Sequence, residues 1–246
     1  GSQLIAVVSH GDEKAELPLL WQLCGALVEL GYPVTVLDAT KQETEENPGL
    51  SQLLDYRFGQ GGTDSDALEW NVVPSALGIH DLCLMQSDQH DSLQRLGPLF
   101  QANSVVILYA NADWLVHLLS DSQNQPLLAV SSGKNALLTS YLALKRLLVN
   151  GRLTPTILNM MQNGRTQAMG NNLTAAAHLS ECARNFLGYQ VNAMQINPSA
   201  PEADLKIHIR HLATRLLETA SKLWPDYTQS LSAMSSFAHP TFAGRQ

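Results

Sequence analysis

The sequence predicts an α/β protein with a doubly wound, mostly parallel sheet flanked by helices. Three features carry that expectation. Short apolar runs of strand length recur along the chain, among them Ser104 to Tyr109, Pro126 to Ser131 and Thr154 to Met160. Longer segments with apolar residues at helical spacing separate them, as in Asn135 to Val149. The opening stretch, Leu4 to Thr40, passes from an apolar strand through a polar turn into an amphipathic helix closed by Gly31. It then enters a second apolar strand ending at Asp38, which completes the first half of a βαβ unit. The 246 residues are enough for one domain with a sizeable core. Residues 3–223 are assigned to it, and 224–246 to a flexible or docking tail.

Composition narrows the function classes. Net charge is −7 and no basic run occurs, so binding to nucleic acid through its backbone is not expected, because phosphate neutralisation needs clustered Lys and Arg. Cys24, Cys83 and Cys182 are far apart in apolar surroundings and form no CxxC pair, which fits small buried hydrophobes in a reduced compartment. No apolar run approaches the length of a membrane span, and Gly1-Ser2 reads as a cloning remnant ahead of a native strand rather than a signal peptide. A soluble, cytoplasmic protein is expected.

Along the chain, Ala39 to Gly49 is polar and acidic, with Pro48 and Gly49 as breakers, and reads as a surface loop. Asp38 at the strand end suits a cap for that turn better than a metal ligand. Leu50 to Leu54 predicts a short helix. The cluster Gly59-Gln60-Gly61-Gly62 follows no convincing strand and lacks a lysine, so it reads as a connection and not a phosphate loop. Ala67 to Leu77, with Leu68, Trp70, Val72 and Val73, reads as a strand. His80-Asp81 and His90-Asp91 look like a metal set, but their spacing fits no common zinc pattern and no metal is assigned.

Leu93 to Phe100 predicts a helix that feeds the strand Ser104 to Tyr109. After Pro126 to Ser131 comes a helix with Leu137, Leu138, Tyr141, Leu144 and Leu148 on one face. Ser131-Ser132-Gly133-Lys134 has one glycine and no long lead-in, so it reads as an ordinary strand-to-helix turn. Ala175 to Phe186 is helical, and Val191 to Ile196 is the last strand. Glu202 to Leu223 is a long amphipathic helix in which His208 and His211 are surface or boundary residues. The tail is rich in Ser, Ala and Pro, with Trp224, Tyr227, Phe237 and Phe242 available for docking.

This framework resembles the MinD/ParA group of P-loop ATPases, which includes flagellar-number regulators and a cellulose-secretion member. Relatives open with a segment like SGKGGVGKTT, continue with a helix of the NLAAALAELGY kind and reach a strand ending in LIDAD. Here Ser9 matches the serine, Cys24 to Tyr32 follow the helix end, and Leu37-Asp38-Ala39 match the strand end. Tyr141, Lys145 and the Leu187-Gly188-Tyr189 turn also fall in register, and the resemblance spans Leu4 to Leu223 in element order. Between Ser9 and the helix the motif is gone. The signature lysine falls on Gly11, the glycine pair on Asp12 and Glu13, the next glycine on Ala15, the phosphate lysine on Glu16 and the Mg²⁺-binding hydroxyl on Leu17. Pro18 follows in what would be a first-turn position. Leu108 stands where the resemblance puts the metal-orienting aspartate, and Thr40 replaces the second acid after Asp38.

The chemistry of such a loop makes these replacements consequential. Glycines let successive N–H groups turn inward, and a lysine with the helix N-terminus neutralises phosphate. Three carboxylates there would repel a triphosphate, while an acid at a helix N-terminus satisfies the dipole itself, so the loop reads as self-capped. A leucine cannot hold hydrated Mg²⁺, which needs oxygen ligands.

The resemblance therefore implies a pseudo-ATPase with no catalytic residue, no metal and no cofactor. It would act as a protein-binding regulator or scaffold in assembling or positioning a bacterial surface apparatus: a flagellum, a pilus, or exopolysaccharide or cellulose secretion. The partner would be a catalytically competent paralogue or a component of that apparatus. The ATP-dependent sandwich dimer of active relatives is not expected with Gly11 in place of the lysine. Any recruitment to a membrane-associated complex would go through a partner, since Arg245 is the tail's one basic residue and Pro240 interrupts it. The alternative is a weak ATP-binding ATPase or nucleotide sensor retaining contacts from Asp38 and Asn159. Asn159 corresponds to the asparagine that contacts the base in active relatives, although an Asn closing a buried strand also satisfies local backbone groups.

Overall fold

The computed structural model describes residues 1–55, 70–84, 89–131, 133–160, 174–197 and 200–223. The expected connection at 59–62, the start of the strand expected from Ala67 and the tail from Trp224 lie outside these residues. Seven parallel strands are β1 (Gln3–Val8), β2 (Val34–Asp38), β3 (Trp70–Pro74), β4 (Val105–Ala110), β5 (Leu127–Val130), β6 (Thr156–Met160) and β7 (Asn192–Ile196). They lie in the order β3-β2-β4-β1-β5-β6-β7. The chain winds one way from β1 to β2 and β3, then back through β4 to β5, β6 and β7. The crevice above the carboxyl ends of β1, β4 and β5 is thus the switch point, where ligands bind in open α/β sheets.

Because β1 lies between parallel neighbours and under helices on both faces, Leu4 to Val8 are all buried, which explains an unbroken apolar run in place of alternation. Side-chain parity divides the core in two. Leu4, Ala6 and Val8 join Leu37, Leu108 and Val130 on one face. Ile5 and Val7 join Val36, Ile107 and Ala129 on the other. The second face is covered by α1 (Glu13–Glu29) and α8 (Glu202–Glu218) through Leu19, Leu23, Leu27, Ile209, Leu212 and Leu216. The first face carries α2 (Leu50–Asp55), α3 (Ala76–Leu84), α4 (Gln89–Leu96), α5 (Ala112–Leu119), α6 (Lys134–Lys145) and α7 (Ala175–Cys182). Each fully buried leucine in these layers contributes about 1.5–3 kcal/mol.

Local chemistry sets the helix ends. α1 stops at Gly31, whose φ of 90° suits a left-handed residue, with Gly31 N–H donating to Val28 and Tyr32 N–H to Leu27. Asn111 caps α5 through Trp114 N–H, and Thr174 caps α7 through Ala177 N–H.

Several expectations change in three dimensions. Pro18 lies in the second turn of α1, not the first, because the helix already begins at Glu13; the ring withholds the N–H that the Lys14 carbonyl would accept. The strand expected over Ala67 to Leu77 is β3 alone, and Ala76 and Leu77 belong to α3. α4 starts earlier than expected and gives way at Gly97 and Pro98 to a short 3-10 turn. Leu138 points to solvent, 60% exposed, while Leu144 and Leu148 are buried as expected.

The last helix ends at Glu218, and Ser221–Lys222 forms β8, antiparallel to β1 at Leu4 and Gln3. There β8 takes the side of β1 that β5 reaches only at Val7. Asn124 fastens the junction, its side-chain amide donating to the Leu4 carbonyl at 2.9 Å and to the Ser221 hydroxyl at 3.2 Å.

Candidate functional site

At the carboxyl end of β1 the chain pairs once more with β4, Ser9 N–H donating to the Ala110 carbonyl at 2.8 Å. His10 turns inward, Gly11 takes a φ of 92°, and α1 starts at once. The Asp12 carbonyl accepts the N–H groups of both Ala15 (3.0 Å) and Glu16 (2.9 Å). Residues 13–16 are therefore helix, with the amides of Ala15 and Glu16 committed to the Asp12 carbonyl.

The capping differs from the expectation in one respect. Asp12 sits at the N-cap but its side chain makes no bond to the helix; it crosses to β5 and accepts the Ser131 N–H at 3.1 Å. Glu16 supplies the return contact, its Oε1 accepting the His10 backbone N–H at 2.6 Å. The loop is satisfied by its own acids, but by Glu16 reaching back from within the first turn.

Glu16 is completely buried, and Tyr109 of β4 donates to its Oε2 at 3.3 Å. Burial pushes the Glu16 carboxyl above the usual range, and the charge on Asp12 adds to this. The His10 N–H, the His10 charge and the Tyr109 hydroxyl act in opposition. The Tyr109 phenol is also raised, chiefly by burial and further by the negative charges of Glu16 and Asp38, while a hydrogen bond with Ser9 opposes.

The His10 ring spans the gap to the neighbouring elements. Its Nε2 lies 2.7 Å from the Ala129 carbonyl, which can only accept, so Nε2 carries a proton. Nδ1 is 2.8 Å from the Thr139 hydroxyl on α6. A cleft of about 360 Å³ opens beside this network, bounded by Gly11, Asp12, Ser131, Asn135 and Thr139.

The other expected site residues distribute as follows. Gly11 and Asp12 border the cleft, and Glu13 is exposed at the helix start. Ala15 is buried beneath α1 and Leu17 packs against the same core. Asp38 ends β2 in register with Tyr109, and its Oδ1 accepts both the N–H (2.9 Å) and the hydroxyl (2.6 Å) of Thr40, the turn-capping role. Asn159 is the penultimate residue of β6, between Val130 and Gln195, 6% exposed. Leu108 faces the opposite core, so the β4 side chain that reaches the loop is its neighbour Tyr109.

Sequence reasoning missed His10, Tyr109 and Thr139. A tyrosine inside an otherwise apolar strand was the available signal, since a buried phenol needs a partner. It also missed Glu43. That residue lies in the segment expected to be surface loop, yet it is 5% exposed. Its carboxylate accepts the N–H groups of Leu77 (2.8 Å), Gly78 (2.9 Å) and Ser51 (3.2 Å), so one acid caps the starts of α3 and α2 together. The close seating shows at Gly49 and Gly78, where a Cβ would meet Pro74 O at 2.0 Å and the Leu50 side chain at 2.6 Å.

His80 contacts Asp81 at 3.5 Å and lies edge-on to Trp114 at 5.7 Å. The side chains of His90 and Asp91 lie outside the described residues. Among the described residues no group of three His, Cys, Asp or Glu is placed to hold a metal ion, and no helix is long and apolar enough to cross a membrane.

No protein-family model matches the chain, and no curated protein matches its sequence. Solved structures do match it. A chain of the MinC:MinD cell division complex from Aquifex aeolicus aligns with TM-score 0.54 and 9% identity, covering 98% of this chain and 99% of that one. A plasmid partition protein from Borrelia burgdorferi aligns with TM-score 0.53 and 11% identity over 88% of this chain and 98% of its own. Cobyrinic acid a,c-diamide synthase from Mycobacterium smegmatis, with bound ADP and magnesium, aligns with TM-score 0.54 and 16% identity, covering 89% and 95%. The parallel sheet and its flanking helices are an architecture this chain shares with these three structures. At these identities the likeness is one of fold.

Proposed function

We propose that this chain is a non-catalytic member of the MinD/ParA type, a pseudo-ATPase that works by binding other proteins. The observation that carries this reading is the filled loop between β1 and α1. A polyphosphate cradle needs inward-pointing amides and a cation. Here the amides of Ala15 and Glu16 bond to Asp12, that of His10 bonds to Glu16, and a buried carboxyl stands one turn into the helix. The process is the assembly or positioning of a bacterial surface apparatus, a flagellum, pilus or polysaccharide exporter. The partner is an intact paralogue or a component of that apparatus, and binding is constitutive and not gated by ATP.

Calorimetric titration with ATP, with and without Mg²⁺, tests the first half: no heat of binding is expected, and saturable Mg²⁺-dependent binding overturns it. Co-expression with an intact homologue encoded beside it tests the second. A stable complex unaffected by added nucleotide is expected. A second reading, a nucleotide sensor, rests on Asn159 near the carboxyl end of β6, paired with Val130 of β5. ATP affinity in the native chain that is lost in Asn159→Ala would favour it.

A further inference from the structure

The geometry points to Glu16 as a built-in occupant of the loop: its carboxyl fills the position between the His10 amide and the Tyr109 hydroxyl, beside the His10 ring, and so keeps the loop closed without any external ligand. This deepens the reading of a nucleotide-free loop and rests on it.

The two hydrogen-bond donors to Glu16 come from two different segments, and the His10 ring flanks them. The His10 N–H precedes the helix and reaches Oε1 at 2.6 Å. Tyr109 rises from β4 to Oε2 at 3.3 Å. The His10 Nε2 lies 3.8 Å from Oε1, with the two side chains 3% and 0% exposed. A backbone amide and a hydroxyl converging at the start of a helix are elements of an anion site, and here the occupant belongs to the chain.

The consequence extends beyond the loop. The His10 ring that flanks Glu16 also holds Ala129 of β5 and Thr139 of α6, and Asp12 holds Ser131 at the end of β5. With the carboxyl in place, the β1–α1 loop is joined to β5 and α6 permanently. In a protein that relied on a diffusible anion, the same junction would close only when the anion was bound.

Chemical rescue tests this. Glu16→Ala removes the occupant and leaves its donors, so sodium formate should raise the melting temperature of the variant by several degrees over sodium chloride at equal ionic strength. Native protein and Glu16→Gln, whose position is still filled, should respond equally to the two salts. No formate-specific gain in Glu16→Ala, or an equal gain in the native chain, overturns the inference.

If Glu16→Ala does not fold, the ¹H–¹⁵N spectrum of Glu16→Gln decides. The His10 amide proton should move upfield as the weaker amide oxygen of Gln replaces the carboxyl as its acceptor, and an unmoved resonance overturns the inference. Neither readout depends on ATP. Nucleotide binding by the native chain would remove the proposed function while leaving the formate result to be judged separately.

Discussion

The His10 imidazole and the Glu16 carboxyl face each other at 3.8 Å, both shielded from solvent, where β1 turns into α1. Removing the His10 ring leaves the Ala129 carbonyl and the Thr139 hydroxyl without their partner. His10→Ala should therefore cost about 2–4 kcal/mol. Tyr109→Phe removes the hydroxyl's bonds to Glu16 and Ser9 and should cost about 1–2 kcal/mol. Urea unfolding of the two variants should rank them in that order.

Acid dependence follows from the raised Glu16 carboxyl. Its folded-state value lies above the ordinary 4.5, so the folded protein holds this proton where the unfolded chain has released it. The contribution is complete below the unfolded value and is lost as pH rises through the folded one. Relative to Glu16→Gln, which does not titrate, the native chain should lose stability as pH rises from about 4.5 towards neutrality. Urea midpoints measured for both proteins across that range give the difference directly, and a difference that grows with pH would contradict the assignment.

Glu43 should prove more important to stability than its place in an acidic loop suggests. Glu43→Ala leaves the amides of Ser51, Leu77 and Gly78 without their acceptor. At about 1–3 kcal/mol for each buried donor left unpaired, the loss should be at least about 3 kcal/mol. Hydrogen exchange at the Leu77 and Gly78 amides should accelerate.

Two glycine-to-alanine changes should have opposite signs. At Gly49 a Cβ would lie 2.0 Å from the Pro74 carbonyl oxygen and 2.8 Å from Glu43 Cγ, so Gly49→Ala must displace backbone. At Gly25, within α1, a Cβ meets nothing. Gly25→Ala should stabilise by about 0.5–1 kcal/mol through helix propensity. Thermal melting distinguishes the two.

The thiols should differ in reactivity. Burial pushes Cys24 up to about 12 and Cys83 up to about 11. Under mildly alkaline native conditions a maleimide should spare Cys24 and label it only after unfolding, as peptide mass mapping would show.

The sequence by itself determined the layered architecture, because strand and helix signals are local. The apolar runs at 104–109, 126–131 and 154–160 became β4, β5 and β6 within a residue or two. The erased phosphate-loop composition was equally plain, being a statement about which residues are present. What the sequence could not supply was where the replacing side chains go. Glu16 meets Tyr109 across 93 positions, and His10 meets Ala129 and Thr139 across 119 and 129. Only the parallel sheet brings those residues to one end of neighbouring strands. Strand parity then decides that Tyr109 and not Leu108 turns towards the loop. Periodicity is set by the backbone within a few residues of itself, whereas a buried polar network is set by which distant donors and acceptors the packed core leaves facing one another.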